Sequence, residues 1–209
     1  RAVADVLKND YGFTVTPLLN EQATRDGIVS AFNQLNRQLA PTDNLLVYYA
    51  GHGYYENDTE TAYWMPFDAK NNEDTQWIIS SRITSYLKRN QAKNILIVSD
   101  SCYSGTFAAR SNAVKLHSKQ GKNRQKALQK ILDRQARILI ASGGNEPVTD
   151  AGGAGNHSIF AEAFLEGLAD MAENAFTAEE LFSDYIKDTV AGNSDQIPEF
   201  QAIRNSRHR

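Results

Sequence analysis

Two apolar stretches decide the fold of this chain, Asn44-Leu-Leu-Val-Tyr-Tyr-Ala50 and Asn94-Ile-Leu-Ile-Val-Ser99. Continuous runs of this length, rich in Ile, Leu and Val, are typical of parallel strands that are buried on both faces. The first stretch leads into Gly51-His52-Gly53, and the second leads into Asp100-Ser101-Cys102. Because catalytic groups collect beyond the carboxyl ends of parallel strands, we expect the histidine and the cysteine to emerge at one edge of one sheet.

The residue types of this pair suit nucleophilic catalysis. A lone cysteine is most often a small buried hydrophobe, and a lone loop histidine is usually a surface residue. Here His52 and Cys102, the only cysteine of the chain, both follow strand ends and stand 50 residues apart. That shared placement favours a thiolate nucleophile assisted by an imidazole that carries the proton.

Length and composition bound the class of protein. The chain has 209 residues, of which 41% are hydrophobic and 22% are charged, which predicts one globular domain with a proper core. No apolar run approaches the roughly 20 residues of a membrane-spanning helix, so no membrane partner is expected. A single cysteine excludes an internal disulfide and a multi-cysteine metal site. A reducing, cytoplasmic location is the default expectation.

Charge is unevenly distributed along the chain. Residues 110–137 contain nine Lys or Arg residues and one acid, a net charge of +8, whereas the whole chain carries −3. This basic segment could be a solvated loop, a nucleic-acid patch or an interdomain linker. It lacks the interleaved aromatic residues that stack on bases, so we rank the linker first, the plain loop second and nucleic acid a distant third.

Helical and strand patterns alternate along the chain, which predicts an α/β fold with a parallel sheet. A strand at Phe13–Leu19, a helix capped by Thr24 and the strand at Asn44 form a predicted β-α-β unit. Further helices are predicted from Ser80 or Ser81 and over the basic residues 127–134. A buried strand follows at 136–142, then a helix at 157–171 and a last helix that begins with a capping box at Thr177-Ala-Glu-Glu180.

Three motifs, in this order, resemble the caspase-like cysteine peptidases of family C14, specifically the bacterial metacaspase or orthocaspase type. They are Tyr48-Tyr-Ala-Gly-His-Gly53, Asp100-Ser-Cys-Tyr-Ser-Gly105 and Ala141-Ser-Gly-Gly-Asn-Glu-Pro-Val-Thr-Asp150, the last followed by the helix from His157. A histidine about 50 residues before the nucleophile fits that family. The resemblance covers nearly the whole chain. It implies a three-layer α/β/α sandwich with a mostly parallel central sheet.

The resemblance also implies a division of the domain. Residues 1–109 correspond to a large-subunit-like part, residues 110–137 to a basic linker that the enzyme itself could cut, and residues 138–209 to a small-subunit-like part. The family's first strand would lie before residue 1 and its last strand after about residue 205, so we expect a chain trimmed at both ends.

Site residues are carried over by motif. Cys102 attacks the scissile carbonyl, His52 is the general acid and base, and the backbone N–H groups of Gly53 and Cys102 form the oxyanion hole. Acidic residues stand where relatives that cut after Arg or Lys have pocket acids. Asp100 precedes the nucleophile by two residues, and Glu146 and Asp150 lie in the loop expected to form the other wall. The alternative interpretations are a strand-end carboxylate that caps amides for Asp100 and solvated loop acids for the other two.

These assignments predict a cysteine endopeptidase that cleaves protein or peptide substrates after Arg or Lys. Two alternatives remain open, a non-catalytic caspase-like scaffold and a peptidase with another preference before the scissile bond. No cofactor or metal is expected. Some metacaspases bind calcium through clustered aspartates, and no such cluster is evident here. Asp68, Glu73 and Asp74 are acidic, but we interpret them as residues of a solvated loop. The sequence does not predict an oligomeric state.

Overall fold

The computed structural model describes residues 1–101, 108–109, 122–143, 153, 157–171 and 175–203. Within these ranges the helices are α1 Ala2–Asn9, α2 Arg25–Gln38, α3 Ser80–Arg89, α4 Lys122–Leu132, α5 Ile159–Asp170, α6 Ala178–Leu181 and α7 Lys187–Asn193. The strands are β1 Asn44–Ala50, β2 Gly53–Glu56, β3 Thr61–Trp64, β4 Ile78–Ile79, β5 Asn94–Asp100, β6 Ala108–Ala109, β7 Arg137–Ala141 and β8 Glu199–Ile203.

The described strands form a main sheet in the order β1-β5-β7-β8-β6. The two apolar stretches are its strands β1 and β5, which pair in parallel from Asn44 opposite Asn94 to Ala50 opposite Asp100. Strand β5 also pairs in parallel with β7, on the side away from β1. Strand β8 pairs antiparallel with both of its neighbours, β7 and β6. The parallel strands therefore end together, as the sequence predicts.

Helices cover both faces of the main sheet. Ile97 of β5 and Leu139 of β7 face the layer of α2 and α3, where they pack with Phe32 and Ile83 in one core cluster. The neighbouring positions Val98 and Ile140 face the opposite layer, where α1, α5 and α7 complete a second core cluster. Alternation of side chains along a strand produces this division. The predicted α/β/α fold with a mainly parallel central sheet is confirmed.

A small antiparallel sheet, in the order β2-β3-β4, follows directly after β1. Its inner face carries Ala62 and Trp64, each 2% exposed. The Trp64 ring stacks on Tyr49 of β1 with 4.1 Å between ring centroids. This contact joins the small sheet to the edge of the main sheet, beside the point where β1 ends.

Local signals define the helix starts. Thr24 accepts the N–H of Gly27 and caps α2. Ser158 caps α5 by accepting the N–H of Ala161. The predicted capping box is present, because Thr177 and Glu180 each accept the other's backbone N–H. The helix that it begins runs through a π-helical turn, Phe182–Ile186, into α7.

One strand prediction is wrong, and strand β8 is missed. Phe13–Leu19 forms no strand, so the predicted first β-α-β unit is absent among the described residues. Gly12 turns the chain with a φ of +70°, and the segment then divides its side chains between the two core clusters, with Val15 in one and Leu18 in the other. Strand β8 is not predicted, because its sequence Glu-Phe-Gln-Ala-Ile is short and half polar.

Candidate active site

His52 lies between the end of β1 and the start of β2, and its side chain is exposed. Its backbone is held firmly. The carbonyl oxygen of His52 accepts the Met65 N–H at 2.9 Å and the Tyr49 hydroxyl at 2.8 Å, and the same hydroxyl lies 3.1 Å from the Met65 carbonyl oxygen. Burial raises the pKa of Tyr49 well above its ordinary value. Tyr49 therefore stays a neutral donor that anchors the histidine.

Gly51 joins the ends of the two strands. Its N–H donates to the carbonyl oxygen of Asp100 at 3.3 Å. A Cβ at this position would lie 2.9 Å from the Tyr49 hydroxyl oxygen, so a larger residue would disturb the anchor of His52. Since Ala50 is opposite Asp100 in the register, His52 and Cys102 each follow a paired position by two residues.

Gly53 presents its backbone N–H at the open edge of β2. The ladder bond between β2 and β3 joins the Met65 N–H to the His52 carbonyl, one residue outside the facing pair Gly53 and Trp64. In an antiparallel ladder this makes Gly53 and Trp64 a non-hydrogen-bonded pair. The Gly53 N–H therefore points away from β3, which suits a donor for a substrate oxygen.

The residue before Cys102 is held by the residue that follows strand β7. The N–H of Ser101 donates to Ser142 Oγ at 3.2 Å, and the side-chain oxygens of Ser99 and Ser101 lie 3.0 Å apart. All three serines are buried. Cys102 itself lies outside the described residues, and so do Glu146 and Asp150.

Asp100 is a buried carboxylate with ordered partners. It is 7% exposed, and its Oδ2 accepts the Ser158 hydroxyl at 2.5 Å. The Tyr48 hydroxyl lies near the same carboxylate, and burial, followed by the Asp100 charge, raises the pKa of Tyr48. Tyr48 therefore stays protonated. Asp100 is held by the Ser158 hydroxyl at the start of α5, at the edge of the sheet where β1 and β5 end.

Sequence patterns missed Tyr48 and Ser158 as partners of Asp100. Tyr48 is visible only as one apolar position of a strand, and Ser158 only as a helix cap. Ser158 stands 58 residues from Asp100 in the sequence. The signal that could have found it is topological, because a helix that follows β7 begins near the carboxyl end of β5.

Two of the three acidic loop residues weighed for calcium have protein partners. Asp68 accepts the N–H of Arg25 at 2.8 Å, and Glu73 forms an ion pair with Lys70 at 3.1 Å. Among the described residues, no three His, Cys, Asp or Glu side chains are grouped as a metal site. The expectation that no cofactor is needed stays a prediction.

The basic segment is not uniformly exposed. Arg124 of α4 is 7% exposed and forms an ion pair with Glu180, whose second carboxylate oxygen lies 3.3 Å from the same guanidinium. The guanidinium also donates to the Ala175 carbonyl at 3.0 Å. Arg137, 2% exposed, donates to the Ala92 and Lys93 carbonyls. Both residues therefore lie within the fold, while residues 110–121 of the predicted linker lie outside the described residues.

Comparison with known proteins agrees with this arrangement. The family model of the caspase domain, peptidase family C14, matches residues 1–208. No curated protein matches the chain. Among solved structures, the crystal structure of protein GSU0716 from Geobacter sulfurreducens is similar, with a TM-score of 0.63 and 19% identity over 96% of this chain and 81% of that one. At this identity the likeness shows the fold alone.

None of the helices in the described part of the chain is long and apolar enough to cross a membrane. The fold is a three-layer sandwich in which β1 and β5 end side by side. The family match over residues 1–208 agrees with this fold. The chain belongs to the caspase domain family of peptidase family C14, a family of cysteine peptidases.

Proposed function

We propose that the protein is a cysteine endopeptidase that cleaves after Arg or Lys, with Cys102 as nucleophile and His52 as general acid and base. The observation that carries the proposal is the register of β1 and β5, in which Ala50 faces Asp100. In this register the loop that carries His52 and the loop that carries Cys102 begin at neighbouring positions of the sheet.

The chemistry follows from the groups at this edge. The Cys102 thiolate attacks the scissile carbonyl carbon, and the developing oxyanion accepts hydrogen bonds from the Gly53 and Cys102 N–H groups. His52 then gives its proton to the leaving amine. Water enters, His52 takes a proton from it, and the resulting hydroxide releases the acyl group from sulfur. The held backbone of His52 supports this role, since proton transfer requires a positioned imidazole.

Preference for a basic residue rests on Asp100. A buried carboxylate binds a guanidinium through charge-assisted hydrogen bonds, which are about twice as strong as neutral ones. The Ser158 hydroxyl occupies Oδ2 at 2.5 Å, so an incoming Arg or Lys shares the carboxylate with it. Glu146 and Asp150 remain further candidates for the same pocket.

We also propose self-processing within the basic segment. Arg124 and Arg137 are buried and hydrogen-bonded, so they are poor substrates for an active site that must surround the side chain. Cleavage before α4 would also keep the Arg124–Glu180 ion pair within one fragment, so we favour the basic residues before that helix. They are Arg110, Lys115 and Lys119.

A panel of fluorogenic peptides tests the proposal. The peptides end in Arg, Lys, Asp or Asn before the reporter group, and each is assayed with the wild type and with Cys102→Ala. We expect cleavage of the Arg and Lys peptides by the wild type alone. Cleavage after Asp or Asn would indicate a caspase-like peptidase of another preference, and no cleavage of any peptide would favour the scaffold.

A further inference from the structure

The outer face of the small sheet carries a cluster of three aromatic rings. Tyr54 lies 4.8 Å from Trp77 and 6.4 Å from Tyr63, and Tyr63 lies 5.5 Å from Trp77, measured between ring centroids. Tyr54 is 41% exposed. We call this cluster, Tyr54, Tyr63 and Trp77, the aromatic platform. Exposed aromatic clusters commonly mark binding surfaces.

Alternation along the strands explains why the platform faces outward. Ala62 and Trp64 occupy the inner face of β3, so Tyr63 between them points to the other side. Tyr54 is directly opposite Tyr63 across the β2–β3 ladder. The indole N–H of Trp77 donates to the Lys70 carbonyl at 3.0 Å, which satisfies its polar edge and holds the ring. The platform is therefore ordered before any ligand arrives.

Carboxylates border the platform. Glu56 follows Tyr54 by two residues on β2 and therefore lies on the same face of that strand. The Asp74 carbonyl accepts the Trp77 N–H at 2.9 Å, which keeps Asp74 beside the indole. Burial, followed by the charges of Glu56 and Asp74, raises the pKa of Tyr63, which agrees with this placement. Of the residues that the structure describes, none with a positive charge forms an ion pair with Glu56 or Asp74. Acids outnumber bases across residues 53–79; the acids are Glu56, Asp58, Glu60, Asp68, Glu73 and Asp74, and the base is Lys70.

Aromatic faces bordered by carboxylates bind cations. A Lys or Arg side chain over a Tyr or Trp ring gains about 0.5–2 kcal/mol, and a carboxylate beside the ring adds attraction. The Thr59 hydroxyl donates to Glu56 at 2.8 Å, but it carries no charge. An apolar side chain would gain only ring contact and would add no positive charge beside the carboxylates. Charge complementarity therefore selects a basic side chain as the occupant.

The proposed mechanism and the chain order favour a platform on the leaving-group side of the scissile bond. In the proposed mechanism His52 protonates the leaving amine, so the polypeptide after the scissile bond passes His52. Tyr54 follows His52 by two residues. At about 3.3 Å per extended residue, substrate side chains two to four residues after the scissile bond, positions P2′ to P4′, come within reach.

We propose that the aromatic platform, with Glu56 and Asp74, binds a Lys or Arg side chain of the substrate at one of positions P2′ to P4′. This inference rests on the proposed function and deepens it, since it adds a second basic subsite beyond the one at Asp100. Substrates would then be segments with basic residues on both sides of the cut. The protein's own segment from Arg110 to Arg137 has that pattern.

Internally quenched peptides test this subsite. Each peptide has Arg before the scissile bond and Lys, Ala, Phe or Glu in turn at P2′, P3′ and P4′. The readout is the ratio of kcat/KM for the Lys and Ala peptides at each position, which cancels changes in general activity. For the wild type we expect a ratio of about 3 to 30 at one position. Tyr54→Leu and Glu56→Gln should each bring that ratio toward 1.

Phe67→Leu is the matched control, because Phe67 is an exposed aromatic residue of the same region, 59% exposed, outside the platform. It should keep the wild-type ratio. Equal kcat/KM for Lys and Ala at all three positions would overturn the inference, and so would a preference for Phe that Glu56→Gln leaves unchanged. A short Arg peptide that ends at the reporter group is assayed beside them. If the wild type fails to cleave that peptide, the proposed function itself is wrong, and this subsite falls with it.

Discussion

The hydroxyl of Ser158 lies 2.5 Å from Oδ2 of Asp100, which links the cap of helix α5 to the last residue of β5. The same hydroxyl accepts the Ala161 N–H at 2.9 Å, and the Tyr48 hydroxyl lies near the carboxylate on the neighbouring strand. Under the proposed function the charge is therefore in place before substrate binds, and an incoming guanidinium would cause little reorganisation. Preorganised charge of this kind binds more tightly than a carboxylate that must first be ordered.

The first prediction concerns that charge. Asp100→Asn keeps the shape and removes the charge, so kcat/KM for Arg and Lys peptides should fall about 10- to 100-fold, corresponding to a charged hydrogen bond of about 1.5–3 kcal/mol. Tyr48→Phe is the control, because it removes the neighbouring hydroxyl and leaves the carboxylate ionised. It should retain the preference for Arg. An unchanged preference in Asp100→Asn would show that another residue recognises the basic side chain.

The second prediction concerns the anchor of His52. Tyr49→Phe removes the donor shared by the His52 and Met65 carbonyls, so the imidazole is less well positioned. The His52 carbonyl keeps the Met65 N–H at 2.9 Å, so the variant loses one hydrogen bond of about 0.5–1.5 kcal/mol. We therefore expect kcat to fall about 2- to 10-fold with KM nearly constant. Tyr11→Phe is the matched control, because Tyr11 also donates to a backbone carbonyl, that of Leu168 at 2.6 Å. Equal losses of kcat in both variants would mean that the effect is general destabilisation.

Strand β1 could be predicted to the residue and β5 to within one residue, since β5 continues to Asp100. An apolar run buried on both faces needs no distant partner to be recognised. The cap at Thr24 and the capping box at Thr177 were equally local. The prediction of a strand at Phe13–Leu19 was wrong because its β-branched and aromatic residues pack against the two cores and do not pair with another strand. A segment that packs against both apolar layers has the same composition as a strand.

The contacts of charged residues could not be predicted. Arg124 lies in a stretch whose composition is that of a solvated loop, yet it is buried against Glu180, 56 residues away. The motif placed Asp100 at the strand end, but its hydroxyl partners come from β1 and from the cap of α5. Such pairs depend on which elements the fold brings together, and periodicity carries no information on that.

The third prediction concerns the Arg124–Glu180 ion pair. Its side chains are 8% and 18% exposed, and removing one partner of a buried pair costs about 3–5 kcal/mol. We expect Arg124→Met to lower the free energy of unfolding by about 3 kcal/mol and Tm by about 6–12 °C. Lys126→Met, an exposed change in the same helix, should have little effect. The comparison uses Cys102→Ala protein so that every chain stays whole.

The pH dependence of that difference has a definite sign. Burial alone would raise the pKa of Glu180, but hydrogen bonds from Arg124 and Thr177 outweigh it and lower the pKa. The stabilisation is therefore complete above the unfolded value of about 4.3 and is lost as pH falls through the lower folded value. Denaturant unfolding from pH 7 to pH 3 should show the two proteins converging below about pH 4. A constant difference across this range would contradict the ion-pair account.

The fourth prediction concerns self-processing. Intact-mass analysis of purified wild type should show two fragments whose boundary follows Arg110, Lys115 or Lys119, because cleavage there leaves α4 and its ion pair with the carboxyl-terminal fragment. Cys102→Ala should remain whole. Identical fragments in both proteins would point to a contaminating protease. A wild-type cut after Arg124 or Arg137 would contradict the burial of those side chains.

Covalent labelling tests the central claim most directly, because the chain contains a single cysteine. An acyloxymethyl ketone built on an Arg peptide is mixed with purified protein, and the intact mass is followed over time. We predict one label on the wild type, located at Cys102 by peptide mapping, much slower labelling of His52→Ala and none of Cys102→Ala. The matching Asp reagent should label the wild type far more slowly. Labelling of Cys102→Ala at the wild-type rate, or equal rates for wild type and His52→Ala, would contradict a catalytic pair of Cys102 and His52.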